Sequence, residues 1–139
     1  MTDIELILDA IKWPRRNMQF SSKESIEAKM GFALPADYVF FLSNYAGHES
    51  FLKENYFVLW DEAELLSLNE GYEVQHYLAN TLAIGSNGGG EMIALQHCED
   101  HRFQIILIPF GSMREKEIVI GDSFTDFLKR MNDGRKWFD

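Results

Sequence analysis

Cysteine and long apolar runs are scarce in this sequence. The single cysteine, Cys98, excludes an internal disulfide and fits the reducing cytoplasm. No apolar run approaches the roughly 20 residues that span a bilayer. The acidic, amphipathic start of the chain also lacks the basic segment that opens a secretory signal. We therefore expect a soluble cytoplasmic protein that makes no use of a membrane.

Basic residues are scarce in the middle of the chain. The net charge is −9, and the segment 36–112 carries eleven acidic residues but only Lys53 and Arg102 as basic ones, whereas the segments on either side are balanced. Such an acidic field repels nucleic acid and attracts cationic partners. Because acidic surfaces also serve solubility alone, the charge by itself leaves both interpretations open.

Apolar and aromatic side chains, by contrast, are plentiful. They make up 46% and 14% of the 139 residues, which is typical of a folded globular protein. A chain of this length is long enough to bury a real core. We therefore expect one domain over residues 1–139 that needs no cofactor to fold.

Three strands of an antiparallel meander are predicted in the middle of the chain. They lie at 81–84, 91–96 and 103–109, separated by a glycine-rich run, 85–90, and by a polar tip, 97–101. Glycine tolerates positive φ and close backbone approach. The sequence therefore predicts that the whole glycine run is a turn and not part of a strand.

Three helices are predicted before this meander. Apolar spacing and capping signals indicate helices at 2–12, at 21–30, where Ser21 or Ser22 is the cap, and at 35–46. The third helix has an apolar face at positions i, i+3, i+4 and i+7, a spacing that more often marks core than a ligand site. This face consists of Tyr38, Phe41, Leu42 and Tyr45.

The segment between the third helix and the meander is more varied. The sequence predicts a loop at 48–55, a strand at 56–60 and a short helix at 61–70 that Asp61 caps. No clear period is present at 71–80.

A further strand and a last helix are predicted after the meander. The strand lies at 117–120, after a charged turn at 112–116, and Asp122 or Ser123 caps the helix. Helices, then strands with one inserted helix, then a closing helix predict an α+β fold, a mostly antiparallel sheet with helices packed on one side. The apolar face of the last helix consists of Phe124, Phe127, Leu128 and Met131.

The glycine-rich run at 85–90 does not have the pattern of a phosphate-binding loop. Such a loop needs a lysine followed by serine or threonine, and a helix that begins there. Here Glu91 follows, where its carboxylate would repel phosphate, and a strand comes next. The run is therefore interpreted as a tight turn.

The polar tip offers two weak candidates for chemistry. The five residues of the tip resemble metal ligands: His97, Cys98, Glu99, Asp100 and His101. However, zinc sites commonly pair two such clusters, and no second one is present. A cysteine nucleophile would need a histidine base on its own side, and His97 as the neighbour of Cys98 in a strand points to the opposite face. We expect neither a metal nor an enzyme.

Four motifs, by their order and spacing, carry a resemblance to a known family. They are LPADYVFFL at 34–42, an aromatic strand ending at Trp60 before an acidic helix, IGSNGGGEMIAL at 84–95, and DSFTDFL at 122–128. With these motifs the chain resembles the SUKH superfamily, also called the Smi/Knr-like family, over about residues 20–130.

The resemblance implies a single α+β domain without catalytic residues. Many bacterial members are similar to immunity proteins that bind and neutralise toxins, often nucleases, whereas fungal relatives act as regulatory interaction proteins in cell-wall assembly. A nuclease must be cationic to hold nucleic acid, so the acidic middle of this chain fits the immunity role. The expected partner is therefore a cationic toxin domain, with the oligomeric state left open.

Acidic side chains in loops and at element ends are expected to supply the binding face, because they can reach a partner without disturbing the core. Trp60 is either an aromatic anchor among them or a core residue. The predicted contact residues are Glu49, Glu54, Trp60, Asp61, Glu62, Glu64, Glu91, Glu99 and Asp100.

A second interpretation is a regulatory domain that binds a small molecule or peptide. Its pocket would lie between sheet and helices, lined by Trp60, Tyr72 and the turn at 85–90. A deep, mostly apolar cavity would favour this interpretation, and a broad acidic face would favour partner binding.

Overall fold

The computed structural model describes residues 1–137 and has helices on both sides of the strand-forming region in sequence. The helices are α1 (Asp3–Ala10), α2 (Lys23–Met30), α3 (Ala36–Asn44), α4 (Glu62–Gly71), α5 (Val74–Tyr77) and α6 (Phe124–Asn132), with a 3₁₀ turn at Glu99–His101. The strands are β1 (His48–Leu52), β2 (Asn55–Leu59), β3 (Thr81–Ser86), β4 (Glu91–His97), β5 (Phe103–Pro109) and β6 (Ile118–Gly121).

The six strands form one antiparallel sheet in chain order, β1 to β6, with α4 and α5 inserted between β2 and β3. This confirms the predicted α+β fold. Consecutive side chains of the central strands, at 82–84, 92–95 and 105–108, are no more than 1% exposed. Because neighbours on a strand point to opposite faces, the centre of the sheet is covered on both faces.

One layer of the core lies between a face of the sheet and helices α1, α3 and α6. The Trp13 ring stacks on Phe57 of β2, with ring centroids 5.2 Å apart, and the Phe41 ring of α3 lies 5.2 Å from that of Phe124 in α6. The Asp37 carboxylate of α3 accepts hydrogen bonds from the amide and hydroxyl of Thr125, both at 2.9 Å. These contacts join α3 to α6, and the four residues predicted as the apolar face of each are all buried.

The structure confirms the predicted capping box of α1, the predicted glycine at the end of α2 and the predicted serine cap of α6. Thr2 and Glu5 form the capping box, Gly31 ends α2 with φ of 81°, and the Ser123 hydroxyl accepts the amide hydrogen of Asp126. Ser22 is the N-cap residue of α2, as predicted, but it makes no side-chain cap, and its hydroxyl instead donates to a carboxylate of α4.

Residues 48–55, predicted as a loop, form β1, the turn at 53–54 and the first residue of β2. Only Leu52 of β1 is buried, because β1 is an edge strand, and its sequence therefore lacks the alternation of apolar and polar residues that marks a half-buried strand. The unassigned stretch 71–80 contains α5.

Gly85 lies within β3, so the prediction that the whole glycine-rich run is a turn is wrong. A Cβ at Gly85 would overlap the carbonyl oxygen of Val58 on β2, so this strand position requires glycine for close backbone approach. The register between β3 and β4 also shifts between Ala83 and Gly85. The turn itself starts at Asn87, whose side-chain oxygen accepts the amide hydrogen of Gly89 at 2.9 Å.

Part of strand β3 is not paired with β2, and a side chain of α4 bonds its backbone there instead. Strand β2 pairs with it only at Val58 with Ser86 and Leu59 with Gly85. Further along, the side chain of Asn69 in α4 accepts the amide hydrogen of Ala83 at 2.8 Å and donates to its carbonyl at 2.9 Å. The buried amide of Asn69 thus makes the two hydrogen bonds that a neighbouring strand would make.

Candidate partner-binding surface

The hairpin of β1 and β2 has one buried and one open face. Side chains alternate along a strand, and the register pairs Glu49 with Val58 and Phe51 with Tyr56, so these four share a face. Leu52 and the other inward residues of the hairpin point into the core instead. We call the set Glu49, Phe51, Tyr56 and Val58 the hairpin face.

Aromatic rings and a carboxylate are arranged together on the hairpin face. Phe51 is 57% exposed, and its ring centroid lies 5.4 Å from that of Tyr56. The Tyr56 hydroxyl donates a hydrogen bond to the Glu49 carboxylate. That carboxylate raises the pKa of Tyr56 above its usual value of 10.0, because it accepts the hydroxyl hydrogen and so favours the protonated form.

A shallow depression of about 260 Å³ lies between the hairpin and the start of α4. Glu49, Asp61 and Glu64 contribute acidic side chains to its lining, beside His48 and Trp60. Within residues 1–137 the exposed Glu64 carboxylate makes no hydrogen bond or ion pair, so it is available to a partner's cation. The depression and the hairpin face together form an open acidic surface with exposed aromatic rings.

Asp61 is held by contacts inside the chain. The guanidinium of Arg16, whose side chain is only 7% exposed, lies 2.6 Å from the Asp61 carboxylate and donates to the carbonyl of Leu42 at 2.7 Å. The same carboxylate accepts the amide hydrogen of Gly47 at 3.0 Å. Asp61 is the N-cap residue of α4, as predicted, but it makes no side-chain cap because its carboxylate is bound to Arg16 and Gly47.

Glu62 is held in the same way. Its carboxylate accepts the amide hydrogens of Ser21 and Ser22, at 3.0 and 3.2 Å, and the Ser22 hydroxyl at 2.9 Å. Arg16 lies 3.7 Å away. Asp61 and Glu62 therefore tie the segment before α2 to the start of α4, a role that their acidity in the sequence did not indicate.

The remaining acidic candidates lie at two ends of the sheet. Glu54, in the turn of the hairpin, is 3.3 Å from Lys136, and Glu91 accepts a hydrogen bond from Asn87 at 2.9 Å. The β4–β5 register puts the exposed Glu99 and Asp100 at the opposite end of these strands from Glu91. Six residues of strand separate the ends by about 20 Å. The nine predicted contact residues therefore do not form one patch.

Trp60 is a core residue, only 8% exposed. Its ring lies 6.4 Å from those of Tyr72 and Phe110, which are themselves 4.3 Å apart. Next to this stack is an open depression of about 450 Å³. It is lined by residues 71–73, Tyr77 and residues 110–114. Of the lining that the second interpretation predicted, only Tyr72 borders this depression, whereas Trp60 and the turn at 85–90 do not.

The polar tip of β4 and β5 has packing contacts. The His97 ring lies 4.9 Å from the rings of both Phe32 and Phe103, and the Cys98 thiol lies 3.8 Å from the carbonyl oxygen of Gln96. In the part of the chain that the structure describes, no three histidine, cysteine or acidic side chains are grouped as metal ligands would be. No helix among the same residues is long and apolar enough to cross a membrane.

Three residues that form or support this surface were not found by sequence reasoning. Phe51 and Tyr56 could be identified only after β1 was recognised as a strand, since the register brings them together. Arg16 stands in a polar link between two helices, and its burial depends on contacts 26 and 45 residues along the chain. Contacts between residues so far apart in the chain cannot be inferred from the sequence around Arg16.

The comparison with known families gives one match. A sequence profile described as the SMI1 / KNR4 family (SUKH-1) matches residues 23–130, which is more than half of the chain. No curated protein matches the sequence.

Proposed function

Because the chain belongs to the SMI1 / KNR4 family (SUKH-1), we propose that it is a non-enzymatic protein-binding module of the cytoplasm. More specifically, we propose an immunity protein that binds and neutralises a cationic, nuclease-type toxin. The observation that carries this proposal is the open acidic surface, where Glu49 and Glu64 line the depression and Glu49 shares the hairpin face with the exposed ring of Phe51.

Charge supports a cationic partner. The net charge is −9, and the acidic excess lies entirely within residues 36–112, which include the hairpin and α4. A nuclease domain carries basic residues where it holds nucleic acid, so an acidic surface of this kind can compete for them. Complementary charge mainly accelerates association and selects partners, while exposed aromatic rings supply contact energy.

The residues proposed to contact the partner differ from those first predicted. Glu49 and Glu64 are retained because their carboxylates face solvent beside the depression. Asp61 and Glu62 are not proposed as contacts, because their carboxylates bind Arg16 and the serines before α2 within the chain. Phe51 takes the place of the buried Trp60 as aromatic anchor.

Co-expression rescue tests the proposal. The wild-type chain is expressed with each toxin domain encoded beside its gene, and cell survival is measured. We expect protection against one of these domains, and we expect weaker protection from the double variant Glu49→Lys, Glu64→Lys. The matched control is Glu24→Lys, Glu115→Lys, which changes net charge equally at two exposed positions outside this surface.

Two results would count against the proposal. Failure of the wild type to protect against any neighbouring toxin would reject the immunity role. Equal protection by both double variants would remove the acidic surface from the mechanism while leaving partner binding in place.

A further inference from the structure

The outer edge of β1 offers backbone hydrogen bonds. The amide of Trp60 donates to the carbonyl of Ile84 at 2.9 Å, so the even-numbered residues of β2 bond toward β3 and its odd-numbered residues bond toward β1. Their partners on β1 in the observed register are His48, Ser50 and Leu52. The amide and carbonyl groups of Glu49 and Phe51 therefore point outward, away from the sheet.

The two edges of the sheet differ in how they are protected. Strand β6 is only four residues long, and its register with β5 shifts between Ile105 and Ile106. Short strands and such irregularities are devices that keep edges from pairing. Strand β1 has five residues in unbroken register with β2, no proline, and the exposed Phe51 on it. It is the better template for an added strand.

Charge selects among the possible occupants of this edge. Glu49 is the single charged residue of β1, and Glu64 lines the depression beside it. A second copy of this chain would bring another Glu49 and a net charge of −9 to the same edge. A basic segment of another protein would instead pair its cation with the Glu49 carboxylate and contact the exposed ring of Phe51 on the same face.

We propose that β1 binds an extended basic segment of a protein partner as a seventh, added strand. The segment would exchange backbone hydrogen bonds with Glu49 and Phe51 and place a basic and an apolar side chain, two positions apart, over them. This inference rests on the proposed function, since it names the way in which the cationic partner docks.

The first test uses the peptide Thr-Lys-Thr-Val-Thr-Lys-Thr, which carries lysine and valine on one face of a strand. It is titrated into the full isotope-labelled chain while amide resonances are followed. We expect chemical-shift changes at the amides of Glu49 and Phe51 and none at Ile118–Gly121. The expected dissociation constant is on the order of a millimolar. The same peptide with glutamate for lysine is expected not to bind.

A matched pair of variants isolates the backbone contribution. Phe51→Pro removes the side chain and the outward amide hydrogen, whereas Phe51→Thr removes the side chain alone. Proline is tolerated on an edge strand where its missing hydrogen faces solvent. We expect Phe51→Pro to bind the lysine peptide about three- to tenfold more weakly than Phe51→Thr, the effect of one lost hydrogen bond.

If the proline variant does not fold, amide hydrogen exchange of the wild type still tests the proposal. Peptide binding should slow amide exchange at Phe51 and leave that at Ser50, already bonded to β2, unchanged. Absence of slowing, shifts at β6 instead of β1, or equal binding by the two variants would overturn the proposal. A wild-type dimer that Phe51→Pro dissociates would assign the edge to a second copy, also against it.

The co-expression assay separates this inference from the proposed function. If Phe51→Pro folds and still protects cells as well as Phe51→Thr, the immunity role stands and the added strand is rejected. If the wild type protects against no toxin but the peptide binds at β1, the edge is a docking site and the immunity role fails.

Discussion

At the scale of single residues, Arg16 shows why acidic side chains near a surface differ in role. Its guanidinium is 7% exposed and holds Asp61 at 2.6 Å, while Glu64, only three residues further along, has an exposed side chain. A buried charge that loses its partner is strongly unfavourable, whereas an exposed carboxylate can be changed freely. The difference depends on the fold and cannot be inferred from the acidic run in the sequence.

Replacing Arg16 should therefore destabilise the chain. We expect Arg16→Leu to lower the free energy of unfolding by about 3 kcal/mol, because Asp61 and Glu62 would remain partly buried without their cation. The exposed Arg102 serves as control, since Arg102→Leu should change stability by no more than about 0.5 kcal/mol. Denaturant unfolding of the two variants measures the difference, and equal stability would show that the Arg16 cluster is dispensable.

The Glu27 carboxylate should contribute a pH-dependent part of the stability. It accepts the amide hydrogen of Leu34 at 2.7 Å and lies 3.1 Å from Lys23. The hydrogen bond from Leu34, and with it Lys23, lowers the pKa of Glu27 below its usual 4.5. Because the folded-state pKa is the lower one, the contribution is complete above the unfolded value and is lost as pH falls through the folded-state pKa.

Glu27→Gln tests this dependence. Unfolding free energies are measured from neutral pH down to about pH 3, below the usual pKa of glutamate. We expect the variant to be less stable than the wild type at neutral pH and to lose less stability on acidification, so that the curves converge. Parallel curves would mean that the Leu34 hydrogen bond does not favour the charged form.

At the scale of elements, strands β3 to β5 and helices α1, α3 and α6 could be predicted because local rules and burial agree there. The helices have apolar residues at helical spacing and capping residues at their ends, and the strands are continuous apolar runs between turns. Strand β1 was missed because an edge strand with one buried residue has neither an apolar run nor a clear period. The place of Gly85 was missed because its need for glycine comes from Val58, on another strand.

Gly85 is accordingly the most sensitive glycine of the sheet. We expect Gly85→Ala to cost about 3 kcal/mol, since the added methyl group would overlap the Val58 carbonyl and push β2 from β3. Gly111→Ala is the control, because a Cβ there meets no atom within 4 Å. Thermal unfolding compares the two, and a similarly small effect at both positions would mean that the β2–β3 pairing can shift without loss.

Aromatic residues on α3 and α6 should anchor the helical layer. Phe41 and Phe127 are no more than 1% exposed, so alanine at either position should cost about 3–5 kcal/mol. Phe51→Ala, at a site that is 57% exposed, should cost less than about 1 kcal/mol. Denaturant unfolding gives all three values. A small cost at Phe127 would contradict the packing of α6 on the sheet.

At the scale of the whole molecule, the distribution of charge was evident from the sequence but the binding surface was not. The acidic excess within residues 36–112 is a property of composition. Which carboxylates are available depends on the register of β1 with β2 and on the position of Arg16. The cationic partner stays a prediction from the sequence. Of the eight acidic residues predicted to contact it, the structure leaves Glu49 and Glu64 exposed around the depression.

The open acidic surface is proposed to bind a basic partner through charge. This is tested by the association rate with the neutralised toxin domain, followed as salt concentration rises, for the wild type and for Glu49→Lys, Glu64→Lys. We expect the wild-type rate to fall steeply with salt while its dissociation rate changes little, and the variant to associate slowly at low salt with a weaker salt dependence. Identical rates and salt dependences for the two proteins would contradict the account.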